Sequence, residues 1–401
     1  MSALDAVLGL GAALLAAPAA VYSVQCLLGS LLPDRVVDAD GELPARTVVL
    51  VPAHDEELGI AETVRGLVDA VRSGLEERGE VVVVADNCSD QTAALAREAG
   101  ARVLVRDEPA RRGKGFAIAH AVAALAESPP DVVVLVDADC RTTPGALHHL
   151  ALRANATDRP VQADYILQPP ADPTPTSGIS GLAVLVKNRV RPRGMRRLGL
   201  PCQLTGAGMA MRFPTLRDAP ATGADIVEDM VLGAELALRG RPPLSTSRAE
   251  VWSELPAGRD AAKGQRRRWE HGHLATMARY APRLLLHGLA KLSRNRVAMG
   301  LDLLVPPMAL LVLATTTWAG AAAIAASYGH PAWPLWISLG ALGAVVVSTL
   351  AAWAAHGRHT LPLRHLLLAP LYVLWKAPLY LAFFLRRGQR SWNRTARGRA
   401  T

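Results

Sequence analysis

The chain has 401 residues, is 50% hydrophobic and 20% charged, and carries a formal net charge of +9. Its positive mean hydropathy excludes an ordinary water-soluble enzyme unless the apolar residues are gathered into segments. The cationic excess comes with no helix-turn-helix, zinc or RNA-binding signature, which argues against nucleic acid and for phosphates or membrane surface as the anionic partner.

The apolar residues are indeed segregated. Met1 to Leu32 carries one charge, Asp5, and is long enough for one span, since a bilayer core takes roughly 20 apolar residues as helix. Small residues at Ala16–Ala20 suggest a signal peptide, but there is no basic n-region, so residues 1–32 read as an uncleaved anchor. Arg35 and Arg46 follow this segment and no Lys or Arg precedes it. The positive-inside rule then places residues 33–298 in the cytoplasm.

That central stretch opens with alternating strands and helices. Thr47–Val51, Val81–Val84, Arg102–Val105 and Asp131–Val136 are apolar strand runs. Leu58–Leu75, Thr92–Ala99 and Phe116–Ala126 have helical spacing between them. Continuous apolar strands alternating with helices predict a parallel sheet covered on both faces, whose ligands bind at the carboxyl ends of the strands. The polar clusters fall there: His54-Asp-Glu-Glu57, Asp86-Asn-Cys-Ser-Asp90 and Asp137-Ala-Asp139.

Each cluster has two readings. Asp86–Asp90 suits a helix cap at Asp90 or a base-edge contact at Asp86. Asp137 and Asp139 suit a hard divalent cation, which takes one or two carboxylates plus substrate phosphates, or they cap the turn that follows. Arg112-Gly-Lys114-Gly is a basic turn able to reach a phosphate, without the spacing of a P-loop. Glu228-Asp229 opens a helical run, where the dipole favours acids, or supplies a general base. Gln265, Arg268 and Trp269 share one helical face; Arg offers a bidentate phosphate contact and Trp a flat apolar surface for a sugar ring or for the membrane belt.

Residues 178–200 and 275–292 mix apolar residues with arginines and read as helices in the membrane interface or as amphipathic helices packed on the domain. Spans are expected at 299–325 and 333–356. Segment 362–385, interrupted by Pro370, Lys376 and Pro378, is expected to be broken and re-entrant or interfacial, leaving the basic tail 386–401 cytoplasmic, with a transmembrane segment as the alternative. The four cysteines form no Cys-x-x-Cys pair, so neither a zinc site nor a disulfide framework is indicated.

Taken in order, Val51-Pro-Ala-His-Asp-Glu-Glu57, Asp86–Asp90, Gly113-Lys-Gly115, Asp137-Ala-Asp139, Leu204-Thr-Gly-Ala-Gly208, Glu228-Asp229 and Gln265-Arg-Arg-Arg-Trp269 resemble the membrane-integrated branch of family 2 glycosyltransferases, related to cellulose and hyaluronan synthases. The resemblance covers about residues 45–275. It implies a GT-A fold, an α/β Rossmann-like nucleotide-diphospho-sugar domain flanked by transmembrane and interfacial helices. Ala53, Glu56 and Asp86 would contact uridine, Lys114 the diphosphate or donor sugar, and Gln265 and Arg268 the pyrophosphate. Asp137 would touch the nucleotide or donor sugar, and Asp139, with Asp137, would hold Mg²⁺ or Mn²⁺. Asp229, beside Glu228, would be the base, while Trp269 and the loop around Gly206 would line the acceptor.

The implied activity is inverting transfer of a sugar from a UDP-sugar to a lipid-linked, glycan or small acceptor in envelope or extracellular polysaccharide biosynthesis. It would take place at the cytoplasmic face of the plasma membrane, in contact with its lipids. A processive, polymer-extruding synthase and a non-catalytic membrane scaffold are the alternatives. The chain departs from the family at Asp55, where Asn is usual, and at Val227, where cellulose synthases carry Thr.

Overall fold

In a computed structural model the described residues are 2–35, 41–169, 174–220, 227–255 and 259–385; the expected basic tail lies outside them. After α1 (Ala3–Leu31), the four apolar runs form β1 (Thr47–Ala53), β2 (Gly79–Asp86), β3 (Arg102–Arg106) and β4 (Val132–Leu135), all parallel, in the order β3-β2-β1-β4. Alternate side chains face opposite ways. Val49, Val51, Val83 and Val134 enter one core, with α2 (Ile60–Gly74), α3 (Thr92–Glu98) and, after α4 (Lys114–Leu125), α5 (Ala146–Thr157). Val48, Leu50, Val84 and Val133 enter the other, against α4. Apolar residues on both faces are what a doubly covered sheet requires, and each fully buried valine contributes roughly 1.5–3 kcal/mol.

The sheet does not stay parallel. Four strands that the sequence patterning did not reveal extend it: β5 (Arg141–Thr142), β6 (Val161–Gln168), β7 (Met209–Arg212) and β8 (Leu244–Glu254). β7 joins β4 antiparallel, giving the order β3-β2-β1-β4-β7-β6-β8-β5. β8 escapes an apolar-run search because Leu244-Ser-Thr-Ser-Arg-Ala-Glu-Val251 alternates polar and small residues.

Between β6 and β7 runs one helical stretch: α6 (Pro175–Leu185), a π-helical turn (Val186–Val190) and α7 (Arg191–Arg197). This is the first segment expected at the interface, and its cations turn inward instead. Arg191 pairs with Asp302 at 2.7 Å and Arg196 with Asp34 at 2.8 Å, both arginines buried. α7 crosses α1 closely enough that a Cβ on Gly29 would lie 2.1 Å from the Val190 carbonyl oxygen, and one on Gly194 would lie 2.1 Å from that of Gln25.

α8 (Phe213–Arg217) and α9 (Glu228–Leu238) precede β8. α10 (Arg259–Ala290) is a single long helix that absorbs most of the second expected interfacial segment, and α11 (Arg294–Leu303) follows it. The span expected at 299–325 is corrected. Pro306 and Pro307 separate α11 from α12 (Met308–Ser327), because proline lacks the N–H an interior helical position needs. α1, α12 and the helix from Trp333, α13 (Trp333–Ala352) with a terminal π turn to Gly357, are long and apolar enough to cross a membrane. The last segment is broken into α14 (Leu363–Leu366), α15 (Ala369–Trp375) and α16 (Ala377–Phe384).

Candidate active site

The parallel strands deliver their polar clusters to one end of the sheet, where the residues singled out from sequence line a single cavity of about 390 Å³. Ala53 and Asp86 stand at the ends of neighbouring strands, paired Ala53↔Ala85 one residue earlier. Asp86 is buried, and its Oδ1 accepts from Arg106 Nη1 at 2.5 Å and Asn87 Nδ2 at 2.8 Å. Arg106, which holds Asp86 without lining the cavity, was missed from sequence. The parallel register Asp86↔Arg106 is the signal that finds it, once β2 and β3 are paired.

The loop after β1 is tied to the one after β2. The Glu56 N–H donates to Thr92 Oγ1 at 2.7 Å, and the Ser89 N–H donates to Asp55 Oδ1 at 2.7 Å. Asp90 Oδ1 accepts from the Thr92 N–H at 2.9 Å and so does serve the start of α3. Asp55 has φ +51°, a left-handed conformation that Asn and Asp tolerate best among residues with a Cβ. The family's Asn and this chain's Asp meet the same backbone demand.

Asp137 and Asp139 follow β4 in a turn, not in extended chain, so their carboxylates converge. One ligand atom from each, and the Cys140 sulfur, all lie within 4.8 Å of one another. Asp139 Oδ2 accepts from Ser253 Oγ of β8 at 2.5 Å. Lys114, at the start of α4, donates to Asp137 Oδ1 at 2.5 Å and to the Gly206 carbonyl at 2.8 Å, with Glu228 Oε1 at 3.8 Å. Burial disfavours its ammonium, but the Asp137 and Glu228 charges win and hold its pKa above the usual lysine value.

Gly206 marks where these groups meet. A Cβ there would sit 3.4 Å from Asp229 Oδ2 and 3.9 Å from both Asp137 Oδ2 and Lys114 Nζ, and its φ of +101° already disfavours a side chain. Glu228 and Asp229 open α9, where Asp229 Oδ1 accepts from the Met230 N–H at 2.8 Å. Burial pushes the Glu228 carboxyl up to about 7 against the pull of Lys114. It also raises Asp229, against Lys187 and Lys114. Gln265, Arg268 and Trp269 close the cavity from α10, with Trp269 packed against the sheet's core.

Residues 44–272 match the model of the family described as glycosyltransferase like family 2. Among curated proteins, the chain is 35% identical over 115 residues to the probable glycosyltransferase YdaM of Bacillus subtilis (strain 168), which is 28% of this chain and 26% of that one. It is 34% identical over 107 residues to the low-salt glycan biosynthesis hexosyltransferase Agl6 of Haloferax volcanii, 27% of this chain and 24% of that one. The matched stretch therefore spans about a quarter of the length of either relative. Among solved structures, the mannosyltransferase PcManGT from Pyrobaculum calidifontis, in complex with GDP-Man and Mn²⁺, superimposes with a TM-score of 0.53 over 96% of each chain at 18% identity. The common architecture is the GT-A fold with its flanking helices.

Proposed function

Because the chain belongs to glycosyltransferase family 2, we propose that it moves a hexosyl group from a UDP-sugar to an acceptor hydroxyl, with inversion, at the cytoplasmic face of the plasma membrane. The observation that carries this reading is the convergence of Asp137, Lys114 and Asp229 over Gly206. Three motifs distant in sequence thereby put a phosphate-seeking cation and a carboxylate base beside one another.

Ala53, Glu56 and Asp86 hold the uridine at the strand ends. Lys114, Gln265 and Arg268 hold the diphosphate. Asp137 and Asp139 are hard oxygen donors beside a soft, buried thiol, a set that fits Mg²⁺ or Mn²⁺ through its carboxylates. When bound, the cation supplies charge neutralisation to the departing diphosphate.

The chain's own groups do the rest. Asp229 takes the proton of the acceptor hydroxyl, whose oxygen attacks the anomeric carbon opposite the leaving group. The bond from that carbon to the β-phosphate oxygen breaks, and UDP departs with the electron pair. Arg268 and Lys114 stabilise the charge that develops there, the preorganised electrostatic role. Trp269 floors the acceptor, which is lipid-linked, a glycan or a small molecule.

The test is a nucleotide-release screen on purified protein with Mg²⁺ or Mn²⁺, over a panel of UDP-sugars with GDP-mannose for contrast. Release from a UDP-sugar that disappears on chelation supports the reading. Release from the GDP-sugar alone overturns the uridine assignment, and no release from any donor overturns the transferase.

A further inference from the structure

The cavity is lined by more than the residues assigned to the nucleotide sugar. From the strand ends it runs past Asp229 to apolar walls built by Ile179 and Val184 of α6, by Pro307 and Met308 at the start of α12, and by Ala369 and Val373 at α15. α12 is one of the spanning-length helices. α15 and its neighbours are too short to span, yet Leu367, Leu371, Leu374 and Trp375 are all exposed, a pattern suited to lipid on their outer side. The cavity lining thus includes helices whose outer sides suit hydrocarbon.

Two groups of cations line it besides Arg268. Lys114, Arg191 and Lys376 are each matched by a carboxylate: Asp137, Asp302 and Glu270. Lys187 and Arg266 also line the cavity, but among the described residues neither has a carboxylate within ion-pair distance. Lys187 Nζ donates to the Met230 sulfur at 3.8 Å, and Arg266 lies over the Trp375 ring at 5.6 Å. Burial pushes the Lys187 pKa down, while Asp229 opposes it. His273, one turn beyond Trp269 on α10, also lines the cavity; it is 5% exposed, and its Nε2 has no partner among the described residues. The Lys187 and Arg266 side chains are half-buried, and a ligand anion would supply the opposite charge they lack.

We propose, resting on the transferase reading above, that the acceptor is an amphiphile whose head carries both a phosphate and a free hydroxyl. The phosphate pairs with Lys187 and Arg266. The chains run along the α6–α12–α15 wall. The hydroxyl is thereby held at Asp229, which takes its proton as its oxygen displaces the nucleoside diphosphate from the anomeric carbon.

The test uses full-length protein in detergent and measures retained lipid by native mass spectrometry. The probes are phosphatidylinositol, glucosyl-diacylglycerol (hydroxyls without phosphate) and free inositol phosphate (head without chains). UDP binding with Mn²⁺ is measured separately by calorimetry. Phosphatidylinositol is expected to be retained at least about tenfold better than either other probe. Lys187→Met should remove that preference by about tenfold, the loss of one charge-assisted hydrogen bond, while Lys187→Arg keeps it. Equal retention of the two lipids, a preference unchanged in Lys187→Met, or equally tight free inositol phosphate overturns the inference. If UDP binds while the lipid preference is absent, only the acceptor assignment falls. If UDP does not bind, the donor reading falls and takes this one with it.

Discussion

Arg106 offers the sharpest separation of folding from chemistry. Its guanidinium and the Asp86 carboxylate are 4% and 7% exposed and 2.5 Å apart. At an effective dielectric near 20, two charges about 4 Å apart interact by about 4 kcal/mol. Removing one partner of a buried pair costs about 3–5 kcal/mol because the other stays charged and unpaired. Arg106→Met keeps an apolar stem beside Phe116, over whose ring the guanidinium now sits at 5.6 Å, so the change isolates the charge. For a domain of this size that loss lowers Tm by on the order of 10 °C. The assay is a thermal-unfolding cycle in detergent over wild type, Arg106→Met, Asp86→Leu and the double variant, with KM and kcat for the UDP-sugar. The double variant should be more stable than Arg106→Met alone, since no buried charge is orphaned. Both variants that lose Asp86 should raise KM for the donor with kcat little changed. Additivity of the two single effects within about 0.5 kcal/mol, or an unshifted Tm in Arg106→Met, refutes the reasoning.

Asp139→Asn should cut turnover with Mg²⁺ or Mn²⁺ by at least about 100-fold, as loss of one preorganised charge does, while Tm stays near wild type; full retained activity removes Asp139 from the cation site. Gly206→Ala places a Cβ 3.4 Å from Asp229 Oδ2 at φ +101° and should cost about 1–3 kcal/mol, with a fall in kcat seen in steady-state kinetics; a neutral substitution refutes the close convergence there. The pH profile of kcat/KM should rise through about pH 7, because burial holds a proton on the Glu228–Asp229 pair against Lys114 and Lys187, with Asp137 also facing it. The sign for folding is opposite. A carboxyl whose folded pKa is raised loses stability as pH climbs from its unfolded value of about 4.3 to about 7, so Glu228→Gln should flatten the alkaline side of a Tm–pH curve. A profile flat from pH 5 to 9 refutes the assignment.

The four parallel strands were legible as short apolar runs, three of them buried on both faces, and their carboxyl ends announced the site by placing acids directly after Ala85 and Val136 and a few residues after Val51. The second half of the sheet was not. β8 carries its information in partners, Asp164↔Glu250 and Tyr165↔Val251, and not in its own patterning. Ser253 therefore could not be seen to hold Asp139, although both lie on the page of the sequence. Asp229 was legible as a motif member, but its raised pKa depends on burial, opposed by Lys187 and Lys114, which no local spacing encodes.

The arginines near the apolar segments teach the reverse lesson. Their clustering at 189–197 reads as a lipid-facing belt, yet Arg189 pairs with Asp164 and Glu250, Arg191 with Asp302, and Arg196 with Asp34. Each partner is distant in sequence, so charge counting along the chain sees only the cations. The consequence reaches the site. Arg191 spends its charge on Asp302, and Gln25 of α1 donates to the same carboxylate at 2.8 Å. α1, α7 and α11 are thereby locked together through polar groups that hydrocarbon could not have satisfied. That lock fixes α7 and the π turn before it, and with them Lys187 of the cavity lining. Positive charge therefore acts on ligands from the cavity lining through Lys187 and Arg266, which among the described residues have no carboxylate within ion-pair distance, not as a diffuse surface field, and its effect on binding should resist added salt where a surface patch would be screened within about 8–10 Å.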